Sequence, residues 1–164
     1  MLVWYRQTNQ SKTMIIYTSR YHNKAVASGK YTPVGISQGE ARFLKYTPTY
    51  LKALAPTWAM VKITDKKVYR KAYIKQLNDL GIESVQQMLM QVSDGKPIVL
   101  LCFEDLRKPD LWCHRTMFAE WYEEQTGQKI EELEHEVDNR RYIVPQLSFF
   151  WLCRSSVLLI RIHG

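Results

Sequence analysis

Ile98-Val99-Leu100-Leu101-Cys102-Phe103 is a continuous apolar run, preceded by Ser93-Asp94-Gly95-Lys96-Pro97 and followed by Glu104-Asp105. A short aliphatic run bounded by turn residues reads as a strand covered on both faces, the central strand of a parallel sheet. Working outward, residues 66–80 carry Val68, Tyr69, Ala72, Tyr73, Leu77 and Leu80 at helical spacing and end at Gly81. Residues 82–92 repeat that period with Val85, Met88, Leu89 and Val92. On the other side, a helix is expected from about Thr116 to Gln125, with Gly127 as its stop. Met14-Ile15-Ile16-Tyr17-Thr18-Ser19 reads as a first strand and Ala59-Met60-Val61-Lys62-Ile63 as a second. Between them, residues 20–46 lack a helical period and read as a long basic loop, and residues 48–54 as a short helical turn. Strands alternating with helices predict a three-layer, Rossmann-like α/β domain with a mostly parallel central sheet.

The chain has 164 residues, which suits one domain, and 46% of it is hydrophobic, too much for a disordered segment. Residues 1–13 read as a polar extension, 14–141 as the domain and 142–164 as an apolar tail interrupted by Arg154 and two serines. No apolar run has the roughly 18–20 residues of a spanning helix, so no membrane partner is expected. Nor do the first residues have a secretory layout. The three cysteines, Cys102, Cys113 and Cys153, are too few and odd in number for a disulfide scaffold, so thiols in a cytoplasmic protein are expected.

Charge is divided unevenly. The first 75 residues hold 14 Lys and Arg against only Glu40 and Asp65, a surplus of 12, whereas the remainder carries a net −5. Eight of the ten tyrosines also fall in that basic half. Cations that release counterions, interleaved with rings that stack on bases, suit an anionic partner such as a nucleotide, phosphate or nucleic acid. Lys24, Lys30, Arg42 and Lys45 are the candidate nucleic-acid contacts. A plain solvated face with half-buried tyrosines accounts for the same composition.

Ligands of open parallel sheets collect beyond the carboxyl ends of the strands. The run 98–103 brings Cys102 and Glu104 to that edge, and the next loop returns Cys113, His114 and Arg115 to the start of a helix. A helix N-terminus with an arginine favours an anion and lowers a thiol's pKa. Cys113, His114, Glu104 and Cys102 are therefore the catalytic candidates, His114 and Glu104 as proton carriers. Arg115, Arg20, Ser19, Tyr21 and His22 are the candidate anion-binding set. Each has a structural alternative: buried cysteines, a core histidine, an arginine bridging to Glu104 or Glu120. The acids from Glu120 to Glu136 read as a solvated face. Two Cys, a His and a Glu also make a metal ligand set, but Cys-x10-Cys-His lacks the short spacing of structural zinc sites, so no metal is expected. The same separation argues against a redox pair.

The motif Leu100-Leu101-Cys102-Phe103-Glu104, then Cys113-His114-Arg115 and Ala119-Glu120-Trp121, resembles the family catalogued as domain of unknown function 488. Its members pair a strand ending in Cys-x-Glu with Cys-His-Arg opening a helix. Ile16-Tyr17-Thr18-Ser19-Arg20-Tyr21 is similar to that family's first strand, and the resemblance runs over about residues 14–136. It implies the fold and the site and supplies no reaction or cofactor. The resulting expectation is an enzyme acting on a nucleotide or nucleic-acid-like phosphorylated ligand. The alternatives are a non-catalytic nucleic-acid-binding module using the basic, Tyr-rich half and an interaction protein using the apolar tail.

Overall fold

The computed structural model describes residues 14–134. The extension 1–13, the tail 142–164 and Cys153 lie outside the described residues. Five parallel strands form one sheet in the order β3-β2-β4-β1-β5: β1 Ile16–Arg20, β2 Thr32–Gly35, β3 Thr49–Tyr50, β4 Ile98–Cys102 and β5 Glu131–Glu132. Every residue of the central strand β4 is buried, which is why its sequence shows no polar alternation.

The alternating side chains of β4 divide the core in two. Ile98 and Leu100 pack with Val34 of β2 and with Tyr73, Leu77, Leu89, Phe118 and Trp121 on the inner faces of α2 (Lys66–Leu80), α3 (Ile82–Val92) and α4 (His114–Thr126). Val99 and Leu101 face the other way, onto Tyr21, Val26 and Ala41. That second face is covered by a 3₁₀ turn, Lys24–Ser28, and by the loop after β2, so the fold is a three-layer, Rossmann-like α/β domain whose third layer is mostly irregular chain. Asp65 caps α2 by accepting from the Val68 amide at 2.9 Å, and Gly127, at φ 73°, ends α4.

Two local expectations are corrected. Residues 59–63 are not a strand: Trp58–Val61 is a single helical turn, α1, capped by the Thr57 hydroxyl on the Met60 amide at 3.3 Å. Trp58 and Val61 are largely exposed, so the apolar pattern there belongs to a surface and not to a sheet. The stretch 20–46 is not all loop, since it holds β2. Pro33 and Gly35 disguise that strand. Pro33 pairs with β4 only, because β3 joins β2 from Val34 onward, so the missing amide breaks no ladder. Gly35 is required by crowding: a Cβ there would lie 2.6 Å from the Tyr50 ring and 2.7 Å from the Tyr21 hydroxyl.

Candidate active site

Parallel pairing aligns strand ends. Arg20 is in register with Cys102 and Gly35 with Leu101, so β1, β2 and β4 all finish at one edge. Cys102 has the parity of Leu100 and points to the helical face. The chain leaves through Phe103 and Glu104, loops, and returns at Cys113, the N-cap of α4, so that His114 opens the helix. Cys102 and Cys113 are free and buried.

Four groups meet here. One oxygen of Glu104, Oε2, lies 2.8 Å from Cys102 Sγ and 3.0 Å from Cys113 Sγ. His114 Nδ1 is 3.8 Å from the first sulfur and 3.7 Å from the second. Its Nε2 donates to the Ile36 carbonyl at 2.6 Å, and the Tyr73 ring edge packs against the imidazole. A carbonyl only accepts, so Nε2 carries a proton and Nδ1 faces the sulfurs.

The electrostatics separate the two thiols. Burial opposes ionisation of Cys113, but hydrogen bonding from Cys102 and the adjacent His114 outweigh it and bring its pKa down to about 6. Hydrogen bonding to Cys113, with burial, pushes Cys102 well up, so it keeps its proton. Burial works against the charged forms of Glu104 and His114 too. The thiol hydrogen bonds nevertheless hold Glu104 below the usual carboxylate range, and the Cys113 sulfur raises His114.

The cluster lies at the wall of a cavity of about 450 Å³, lined also by Trp58, Ile63, Tyr69, Phe103, Leu111 and Trp112. Trp112 meets Tyr69 edge to face with centroids 4.7 Å apart. No Lys or Arg is among the described residues lining it. At its rim an aromatic ridge continues outward. Phe103 neighbours Phe43 at 6.4 Å, and Phe43 stacks on His22 at 4.4 Å with ring planes 17° apart. Arg42 and Lys45 flank Phe43 in sequence and are exposed, as are Lys24 and Lys30.

The other expected contacts are placed as follows. Arg115 is 1% exposed; Nε and Nη2 engage the two oxygens of Glu132 at 3.1 and 2.9 Å, and Nη1 donates to the Glu104 carbonyl at 2.9 Å. Arg20 pairs with Asp105 at 2.6 Å, and its buried Nε has no partner among the described residues. The hydroxyl of Ser19 accepts from Asn23 at 2.9 Å, and that of Tyr21 is 2.7 Å from the Ser37 hydroxyl; both residues are buried. So the edge gathers Cys102, Glu104, Cys113 and His114 into one cluster, with Arg20, Ser19 and Tyr21 beside it but engaged within the protein. Glu132, which fixes Arg115 and accepts from the Thr18 hydroxyl at 2.8 Å, was hidden in an acidic run that reads as solvated. The Ile36 carbonyl is a backbone group with no sequence signal. Trp58 had one, a large aromatic between Pro56 and a lysine-rich stretch, which the strand assignment of 59–63 obscured.

The short spacing of structural zinc sites belongs to ligands on one tight loop, whereas here strand end and helix start are brought together by the sheet, with donor atoms of all four residues within 4.8 Å of one another. No curated protein and no solved structure matches the chain. The family model described as the active DUF488-N3 subclade matches residues 4–126, reaching further toward the N-terminus than the motifs alone and stopping at the end of α4. With three quarters of its length under that match, the chain belongs to the DUF488 family.

Proposed function

We propose that the protein is an enzyme that takes the base of a nucleotide, free or within a nucleic-acid strand, into the aromatic cavity and acts on it with the Cys102, Glu104, Cys113 and His114 cluster. The observation that carries this reading is the convergence of these groups on the wall of a cavity lined by Trp58, Phe103 and Trp112. Flat aromatic walls suit a heterocycle, and stacking on such rings is worth about 1–3 kcal/mol per base. Glu104 is the proton acceptor and donor, and the Cys113 sulfur, the more readily ionised of the two, is the electron-pair donor. Phosphates fall outside the cavity, where Phe43 and His22 offer a stacking ridge beside the exposed Arg42 and Lys45. The description of the matching subclade as active agrees with a reading in which the chemistry-bearing groups are functional.

The test is quenching of tryptophan fluorescence by mononucleotides and short single-stranded oligonucleotides, followed by mass spectrometry of each base after incubation. Binding that weakens steeply with salt for oligonucleotides, and a changed base that disappears with Glu104→Gln, are expected. A protein that binds oligonucleotides with the same salt dependence but changes no base would favour a binding module, which the exposed Lys24, Lys30, Arg42 and Lys45 also support. Absence of any quenching would remove both.

A further inference from the structure

Two sulfurs, an imidazole nitrogen and a carboxylate oxygen within 4.8 Å of one another are an unusual gathering for a protein interior. Thiolates and imidazole are ligands of borderline-soft cations. A tetrahedral zinc with bonds of about 2.3 Å to sulfur and 2.0–2.1 Å to nitrogen puts ligated S and N roughly 3.6 Å apart. The two Sγ to Nδ1 separations here are 3.8 and 3.7 Å. Metal-bound imidazoles donate their other N–H to a carbonyl or carboxylate, which fixes the lone pair on the metal. His114 does this through Nε2 to Ile36, 2.6 Å away, with Nδ1 aimed between the sulfurs.

We propose that Cys102, Cys113 and His114 bind a thiophilic divalent cation of the zinc class, with its fourth position open to the cavity beside Glu104. The carboxylate is the proton acceptor there and not the fourth ligand. Its oxygen stands 2.8 and 3.0 Å from the sulfurs, hydrogen-bond lengths and shorter than the roughly 3.5 Å separation of two atoms sharing one tetrahedral zinc. All four residues line the cavity, so a ligand in the fourth position faces the space assigned above to a base. Three protein ligands with an open position are the pattern of catalytic zinc, whereas structural sites are closed by four. Binding moves no electrons: two thiolates and a neutral imidazole take the cation, and two protons leave the pair of thiols and the ring for solvent. The inference supplies a cofactor to the enzyme reading, and only the catalytic use of the metal rests on that reading.

The experiment is metal analysis of the full chain, purified with zinc and gel filtered, together with cobalt substitution. One zinc ion per chain is expected, removable by a chelator, and cobalt should give a thiolate-to-metal band in the near ultraviolet with the strong visible bands of a tetrahedral ion. Cys102→Ser and Cys113→Ser should each weaken zinc by more than the roughly 10–100-fold typical of supporting residues, while Glu104→Gln keeps the metal. Failure to bind stoichiometric zinc, cobalt spectra without the thiolate band, or full retention by folded Cys113→Ser would overturn the site. Loss of metal in folded Glu104→Gln, to the extent seen for the cysteine variants, would overturn the open fourth position. Should the serine variants fail to fold, the cobalt spectrum of the native chain decides alone. None of these measurements uses a substrate. A metal-loaded but inactive protein therefore counts against the enzyme reading only, and an active metal-free one against the metal only.

Discussion

Replacing Glu132 by Gln asks whether Arg115 is held by the protein itself or is available to a ligand. The guanidinium is 1% exposed and divides its donors between the two oxygens of Glu132 and the carbonyl of Glu104. Glutamine keeps the shape and can keep the Thr18 hydroxyl bond. It removes the charge, however, and turns an amide NH₂ toward a guanidinium N–H, so one acceptor becomes a donor. Taking one partner from a fully buried ion pair costs about 3–5 kcal/mol. The Glu132 side chain is 36% exposed, so water screens part of that, and the expected loss is about 2 kcal/mol. At about 4 °C per kcal/mol for a domain of this size, Tm falls by about 8 °C. Urea and thermal unfolding followed by circular dichroism, in buffer free of phosphate and sulfate, measure it. Arg115→Met added to the variant should recover part of the loss, since no charge is then left stranded. A change below about 0.5 kcal/mol, the range of an ordinary surface substitution, would refute the reasoning. It would mean that Arg115 finds water or an anion as readily as Glu132.

Two further outcomes follow from the packing. Gly35→Ala sets a methyl within 2.6 Å of the Tyr50 ring and 2.7 Å of the buried Tyr21 hydroxyl, an overpacking expected to cost about 1–3 kcal/mol by denaturant titration; unchanged stability would mean that Tyr50 swings aside freely. Burial and the neighbouring Tyr50 push Tyr46 up to about 12, and burial pushes Tyr21, Tyr69 and Tyr73 further above the ordinary tyrosine value near 10. The folded state thus keeps protons that the unfolded chain releases above about pH 10, so this stability is intact below that pH and is lost as pH rises through the folded values. Alkaline unfolding should therefore begin above about pH 10 with tyrosinate absorbance rising in step with it, and ionisation of these four at pH 10 in a folded chain would contradict their burial.

What was readable in the sequence and what was not divide along one physical line. The run 98–103 and the helices 66–80 and 82–92 announce themselves because each buries a face whose period is local. The strand β2 does not, since its proline is tolerated only because β3 starts one residue later, a fact about a neighbouring strand. The two-residue strand β5 is equally silent: its residues are exposed acids, and what places them is the buried guanidinium of Arg115. At the site, the sequence shows which residues arrive at the sheet edge, because strand ends and helix starts are local. It does not show their partners. Arg115 reads as an anion hook at a helix start, and only the folded chain reveals that Glu132 supplies the opposite charge.

The engagement of Arg115 by Glu132 also bears on how a ligand would sit. With the Arg115 donors directed to Glu132 and Glu104, and Arg20 paired with Asp105, the cavity wall holds two sulfurs, an imidazole, a carboxylate and rings, but no Lys or Arg among its described residues. A phosphate gains little in such a space, because Glu104 is itself held in its charged form. In the proposed orientation the ring of the ligand is inside and its phosphates lie along Phe43, Arg42 and Lys45, so recognition separates into two terms that respond differently. The inner one, stacking and the cluster, is insensitive to salt and sensitive to Trp58 and Trp112. The outer one falls with salt and with each exposed cation removed. A free nucleoside should therefore lose little affinity when salt is raised, whereas an oligonucleotide should lose most of its advantage over the nucleoside. Inorganic phosphate alone should displace neither from the cavity.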